Sequence, residues 1–123
     1  MSDPRALPSV VLVTGTGTGV GKTVATAALA SLIRSRGSSV AMVKVAQTGV
    51  SADDAGDTDE VARLAGPLPT HEFLRLPDPL APDAAARRAG VSLPPVAVHA
   101  RRVGELVGET SIVVVEGSGC LLV

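Results

Sequence analysis

The stretch Gly15-Thr16-Gly17-Thr18-Gly19-Val20-Gly21-Lys22-Thr23 carries the clearest chemistry in this chain. It follows the apolar run Val10 to Val13 and precedes the alanine-rich segment Val24 to Ile33. Glycines let successive backbone N–H groups turn inward on a phosphate, and a helix N-terminus adds its positive dipole end. Lys22 supplies a mobile charge, and the Thr23 hydroxyl is placed to meet Mg²⁺. A strict G-x-x-x-x-G-K-[ST] pattern would put its first glycine at Thr16, so the match is to a loop one residue longer, starting at Gly15. The dinucleotide pattern G-x-G-x-x-G fits worse, ending on Val20 or on Lys22 according to its start. Strand, Gly-Lys-Thr and helix in that order point to the phosphates of a nucleotide, bound by Gly17, Thr18, Gly19, Val20, Gly21, Lys22 and Thr23.

Two further polar positions fall at the ends of apolar runs. In an open α/β sheet, ligands sit outside the carboxyl ends of the strands. Lys44 follows Ala41-Met42-Val43 and is followed by Gln47-Thr48-Gly49; Glu116 follows Ile112 to Val115. Glu116 suits Mg²⁺, which takes few protein carboxylates, or it caps a helix. Lys44 covers the sheet end by snorkelling, or with Thr48 contacts a substrate. The acids from Asp53 to Glu60 read in the first instance as a dipole-favoured helix start. His71 and His99 lack partners at metal-ligand spacing, and no Ser-His-Asp or Cys-His set can be assembled.

The elements that must hold these groups follow from periodicity and punctuation. Val10 to Val13 predicts a strand buried on both faces. The first helix is expected from Lys22 to Arg36, with Val24, Ala27, Ala28 and Ile33 facing inward and Gly37 as its stop. Val40 to Val45 predicts a second strand, parallel to the first across a right-handed crossover. Asp57 with Glu60 resembles a capping box for a short helix from Thr58 to Ala65, ended by Gly66-Pro67. His71 to Leu76 reads as a short strand, Pro82 to Ala89 as a helix stopped by Gly90, and Val96 to Val107 as a helix with Val96, Ala100, Val103 and Val107 on one side. Ser111 to Val115 predicts the third buried strand.

Bulk properties narrow the function. The chain has 123 residues, 46% hydrophobic and 19% charged, with a single aromatic, Phe73, so its core must be aliphatic. That length holds one domain, expected at 9–123 after a disordered lead-in at 1–8. A net charge of −1 offers no basic face for nucleic acid or anionic membrane. No apolar run reaches membrane-spanning length, and Cys120 is the lone cysteine. A cytoplasmic protein is expected.

Taken in order, V-T-G-T-G-T-G-V-G-K-T, K-x-x-Q-T-G, D-x-D-E, P-x-P-x-A-P-x-A-A-A and V-E-G-x-G resemble the dethiobiotin synthetase family, ATP-dependent enzymes of biotin synthesis. The resemblance implies a P-loop NTPase-like α/β fold, a parallel sheet between helix layers. It also implies that CO₂ carboxylates an amine of 7,8-diaminononanoate, ATP phosphorylates the carbamate, and the second amine closes the ureido ring. Carried over by position, Lys22 would hold phosphates and carbamate, and Thr23, Asp59 and Glu116 would arrange Mg²⁺. Thr18, Lys44 and Thr48 would contact the carbamate, with Thr18, Lys22 and Lys44 catalytic, and Gly119 would lie near the amine. This chain has Val45 where the family has Pro, and Cys120 where it has Gly. Members continue well beyond V-E-G-x-G, completing the sheet, the adenine pocket and a homodimer surface, so the sheet is expected to lack its C-terminal part.

Overall fold

The computed structural model describes residues 8–15 and 21–118. The expected lead-in lies almost wholly outside them. Among the described residues eight elements run in the order β1 (Val10–Val13), α1 (Lys22–Ser35), β2 (Val40–Thr48), α2 (Asp57–Ala65), β3 (Thr70–Leu76), α3 (Pro82–Ala89), α4 (Val96–Val107) and β4 (Ile112–Glu116). The four strands form one parallel sheet in the order β1-β4-β2-β3. Helices lie on both of its faces, giving the α/β architecture expected from the strand–helix alternation.

Side-chain alternation along the inner strands sets the layers. On one face, Val40, Ile112 and Val114 pack against Ala30 and Ile33 of α1, and Met42 packs between Ala27 and Val61 of α2. On the other, Val43, Val113 and Val115 meet Val103, Leu106 and Val107 of α4. Leu76 closes against Ala85 and Ala86 of α3. Alanines at these contacts let helix backbones come close to the sheet.

Several expectations are corrected. β1 is an edge strand, not one buried on both faces: Val11 and Val13 pack inward while Leu12 is 61% exposed. The inner face of α1 is Thr26, Ala27, Ala30 and Ile33, whereas Val24 and Ala28 are exposed. Thr26 is tolerated there because its Oγ1 donates to the Lys22 carbonyl at 2.8 Å. On α4, Val96 and Ala100 face solvent and Leu106 joins Val103 and Val107 at the sheet. β2 extends three residues past Val45 because β3 supplies partners, pairing Ala46 with Leu74, Gln47 with Arg75 and Thr48 with Leu76. The capping box uses Gly56 and Asp59, the Gly56 N–H donating to Asp59 Oδ2 at 2.9 Å, rather than Asp57 and Glu60. α1 stops as expected: Gly37 has φ +83°, and its N–H donates to the Arg34 carbonyl at 2.9 Å.

Met42 is fully buried where both helices of one face converge. Met42→Ala should therefore cost about 2–5 kcal/mol of unfolding free energy, read from the shift in urea midpoint, while Val24→Ala should cost less than about 0.5.

Candidate functional site

Parallel register places the charges. Lys44 of β2 stands opposite Glu116, the last residue of β4, on the face that carries α1. At the far end of the same two strands, Ser39 Oγ accepts from the Ser111 N–H at 2.8 Å and donates to Ser111 Oγ at 3.1 Å. The apolar stretch between these ends fixes the register, since a one-residue slip would turn Lys44 onto the α4 face. Above Glu116, the first turn of α1 brings Thr23, whose Oγ1 donates to Glu116 Oε1 at 2.9 Å.

Lys44 is the hub. Its Nζ lies 2.9 Å from Asp57 Oδ2 and 3.6 Å from Glu116 Oε1, and it donates to the Gly117 carbonyl at 3.0 Å. The side chain is only 5% exposed, so these partners are what compensate its lost hydration. Glu116 is 1% exposed, and burial raises its pKa above the ordinary 4.5, against the opposing pull of Lys44 and the Thr23 hydrogen bond. Its Oε2 is buried with no hydrogen-bond partner.

A cleft of about 450 Å³ opens over these groups, lined by Gly21, Lys22 and Thr23 from α1 and its approach, Lys44, Gln47 and Thr48 from β2, and Asp57, Glu116 and Ser118. Thus Gly21, Lys22, Thr23, Lys44, Thr48 and Glu116, all singled out in the sequence, come to one place. Gly17, Thr18, Gly19, Val20 and Gly119 lie outside the described residues. Asp59 does not line the cleft: it is exposed, and its carboxylate closes the N-terminus of α2. Asp57, two residues earlier, is the acid that reaches Lys44, and Gln47 accepts the Asp57 N–H at 2.8 Å. Sequence reading missed both residues. The one signal that could have found Asp57 is its place directly after a glycine at the start of α2, from which a short side chain points back along the axis toward the strand ends.

The arrangement can bind a cation and an anion side by side. Among the described residues no three His, Cys, Asp or Glu side chains form a metal cage. Mg²⁺ needs none, since it keeps waters and phosphate oxygens. A buried, unpartnered Glu116 oxygen beside the Thr23 hydroxyl and Asp57 fits such an ion. Neither histidine lines the cleft: His99 stacks on Phe73, their ring centroids 5.8 Å apart, and the Arg102 guanidinium lies 3.8 Å from the Phe73 ring centroid.

Comparison with known proteins now bears on this geometry. A family model described as an AAA domain matches residues 9–123. The chain belongs to that AAA domain family. It is also 57% identical over 117 residues to the ATP-dependent dethiobiotin synthetase of Streptomyces avermitilis, covering 94% of this chain and 48% of that protein. The enzymes of the same name from Parafrankia sp. and Saccharopolyspora erythraea are 55% and 56% identical over 115 and 117 residues, 94% of this chain in each case and 48% and 50% of theirs. The chain spans about half the length of the curated relatives it matches.

Glu116 has a titration consequence. Its folded pKa lies above the unfolded value, so its contribution to stability is fully present below the unfolded value and is lost as pH rises through the folded one. Glu116→Gln cannot ionise and should gain stability relative to the parent chain across the pH range above the ordinary carboxylate value. Urea midpoints of both proteins across that range check it; a constant gap would contradict the burial argument.

Proposed function

We infer that this chain carries the phosphate, metal and carbamate groups of an ATP-dependent dethiobiotin synthetase, which closes the ureido ring from 7,8-diaminononanoate, CO₂ and ATP. The observation that carries this reading is the convergence of Lys22, Thr23, Lys44, Asp57 and Glu116 on one cleft. The names of the relatives supply the reaction. A phosphorylated carbamate concentrates negative charge, and two lysines held on secondary-structure elements are placed to oppose it.

In this reading Gly17, Thr18, Gly19, Val20 and Gly21 turn their N–H groups to the ATP phosphates, and Lys22 neutralises them. Thr23, Glu116 and Asp57 hold Mg²⁺, with Asp57 taking the place expected of Asp59. The ion, when bound, would offset negative charge on the phosphates. Lys44, Thr48 and Thr18 orient the carbamate, and Gly119 lies by the amine. Lys44 then exchanges part of its Asp57 and Glu116 pairing for the ligand's charge. The reading also includes a homodimer of the longer enzyme and a cytoplasmic setting, supported by the even charge balance and the lone Cys120. No helix among the described residues is long and apolar enough to cross a membrane.

A second reading is a nucleotide-binding half that acts only with a further chain. The uncovered outer side of β1, where Val10 is 42% and Leu12 61% exposed, favours it. An enzyme site closed against water needs walls as well as charges.

Two substitutions test the assignments. Lys22→Ala should lower ATP·Mg²⁺ affinity about 10–100-fold by calorimetry, the scale of one charged hydrogen-bonding partner; equal affinities would remove the phosphate-loop assignment. Lys44→Ala should leave ATP affinity within about threefold while weakening diaminononanoate binding in bicarbonate buffer by about tenfold or more. The reverse pattern would put Lys44 on the nucleotide.

A further inference from the structure

Asp57 reaches the cleft from the first turn of a helix, and what aims that turn lies outside the reacting groups. The Asp57 N–H donates to Gln47 Oε1 at 2.8 Å, so a β2 side chain grips the α2 terminus directly. Gln47 is itself 5% exposed. Beside it on β3, Arg75 forms a two-pronged pair with Glu72, Nε to Oε2 and Nη2 to Oε1, both at 2.8 Å. Arg75 Nη1 donates onward to the carbonyls of Ser51 at 2.7 Å and Asp54 at 2.5 Å, pinning the loop that leads into α2. Gln47 and Arg75 are register partners across β2 and β3, so sheet pairing fixes both ends of this brace.

Gly56 is the keystone. Its backbone is extended, with φ −107°, so any residue could adopt it. Space is the constraint: an added Cβ would lie 2.7 Å from Arg75 Nη2, 2.9 Å from Gln47 Oε1 and 3.1 Å from Glu72 Oε1. The glycine lets the α2 terminus seat against the brace, and the brace sets where Asp57 Oδ2 meets Lys44.

We propose that Gln47 is a positioning residue for the site, aiming Asp57 at Lys44 and the cation through the Asp57 N–H, with Arg75, Glu72 and Gly56 fixing the brace from behind. This rests on the reading of Asp57 as a metal-facing carboxylate. Partners that orient ligands in this way typically carry about 10–100-fold in metal affinity.

The test uses the 123-residue chain with Mn²⁺ alone, bound ion being followed by electron paramagnetic resonance and folding by circular dichroism. Gln47→Leu, which removes the acceptor, should weaken Mn²⁺ binding about tenfold. Asp57→Asn should weaken it at least as much. The double variant should bind no more weakly than Asp57→Asn, because Gln47 has then lost the group it aims. Unchanged affinity in Gln47→Leu, or a full additive loss in the double variant, would overturn the proposal and leave Asp57 as a ligand aimed by other means. Unchanged affinity in Asp57→Asn would overturn the metal reading and this proposal together. Should Gln47→Leu fail to fold, Gln47→Glu decides: it keeps an acceptor and should bind Mn²⁺ at least as tightly as the parent, and a loss there would overturn the proposal.

Discussion

A buried ammonium governs this sheet. Lys44 stands mid-sheet with two carboxylates, Asp57 and Glu116, and one carbonyl within reach. Removing such a charge from water costs several kcal/mol unless geometry restores the lost interactions, so the chain is committed to keeping both acids in place. Register delivers one of them, since Lys44 and Glu116 are opposed across parallel strands. A helix terminus delivers the other. Asp57 and Glu116 share the cleft with Lys22 and Lys44, and the buried Glu116 Oε2 keeps no hydrogen-bond partner.

The same sheet is well finished at its centre and open at one side. β4 is buried along its length and β2 along all but Val45 and Thr48, flanked by helices on both faces. Among the described residues β1 pairs with β4 alone, and Val10 and Leu12 are exposed. Edge strands with apolar outward residues invite pairing or cover, and β1 carries no charged residue that would discourage it. The site is spared this weakness in part: Thr23, Lys44, Asp57 and Glu116 depend on α1, β2, α2 and β4, and β1 contributes mainly the lead into the phosphate loop.

How much of this could be read from the sequence depended on whether local pattern or tertiary neighbours decide the outcome. Helix bounds at α3 and α4 were legible because Pro82, Gly90 and Gly108 punctuate them. Strand cores were legible as aliphatic runs. Helix faces were less so, because a chain built of Val and Ala presents apolar residues all round α1, and only neighbours decide that Ala27 turns inward and Val24 outward. β1 looked doubly buried because an apolar run states what a strand tolerates, not where it lies in the sheet order. The length of β2 was hidden for a similar reason: Gln47 and Thr48 become strand only by pairing with β3. In the site, Lys44, Thr23 and Glu116 were legible as polar residues at strand and helix ends. Asp57 was hidden among neighbouring acids, where Asp59 looked equally suited until the fold used its carboxylate as a cap.

That division between Asp57 and Asp59 shows how one short motif serves two physical needs. A helix start needs an acceptor for its unpaired N–H groups, and a cation site needs a carboxylate aimed away from the helix. One side chain cannot do both, because an oxygen that accepts the Gly56 N–H is drawn back against the terminus. Spacing two acids two residues apart turns them to different sides of the first turn, so Asp59 closes the helix while Asp57 crosses to Lys44. The backbone N–H of Asp57 is then left over, and Gln47 takes it. One donor at the terminus thus finds its acceptor within α2 and the next finds it on β2, which ties the helix start to the sheet beside Lys44.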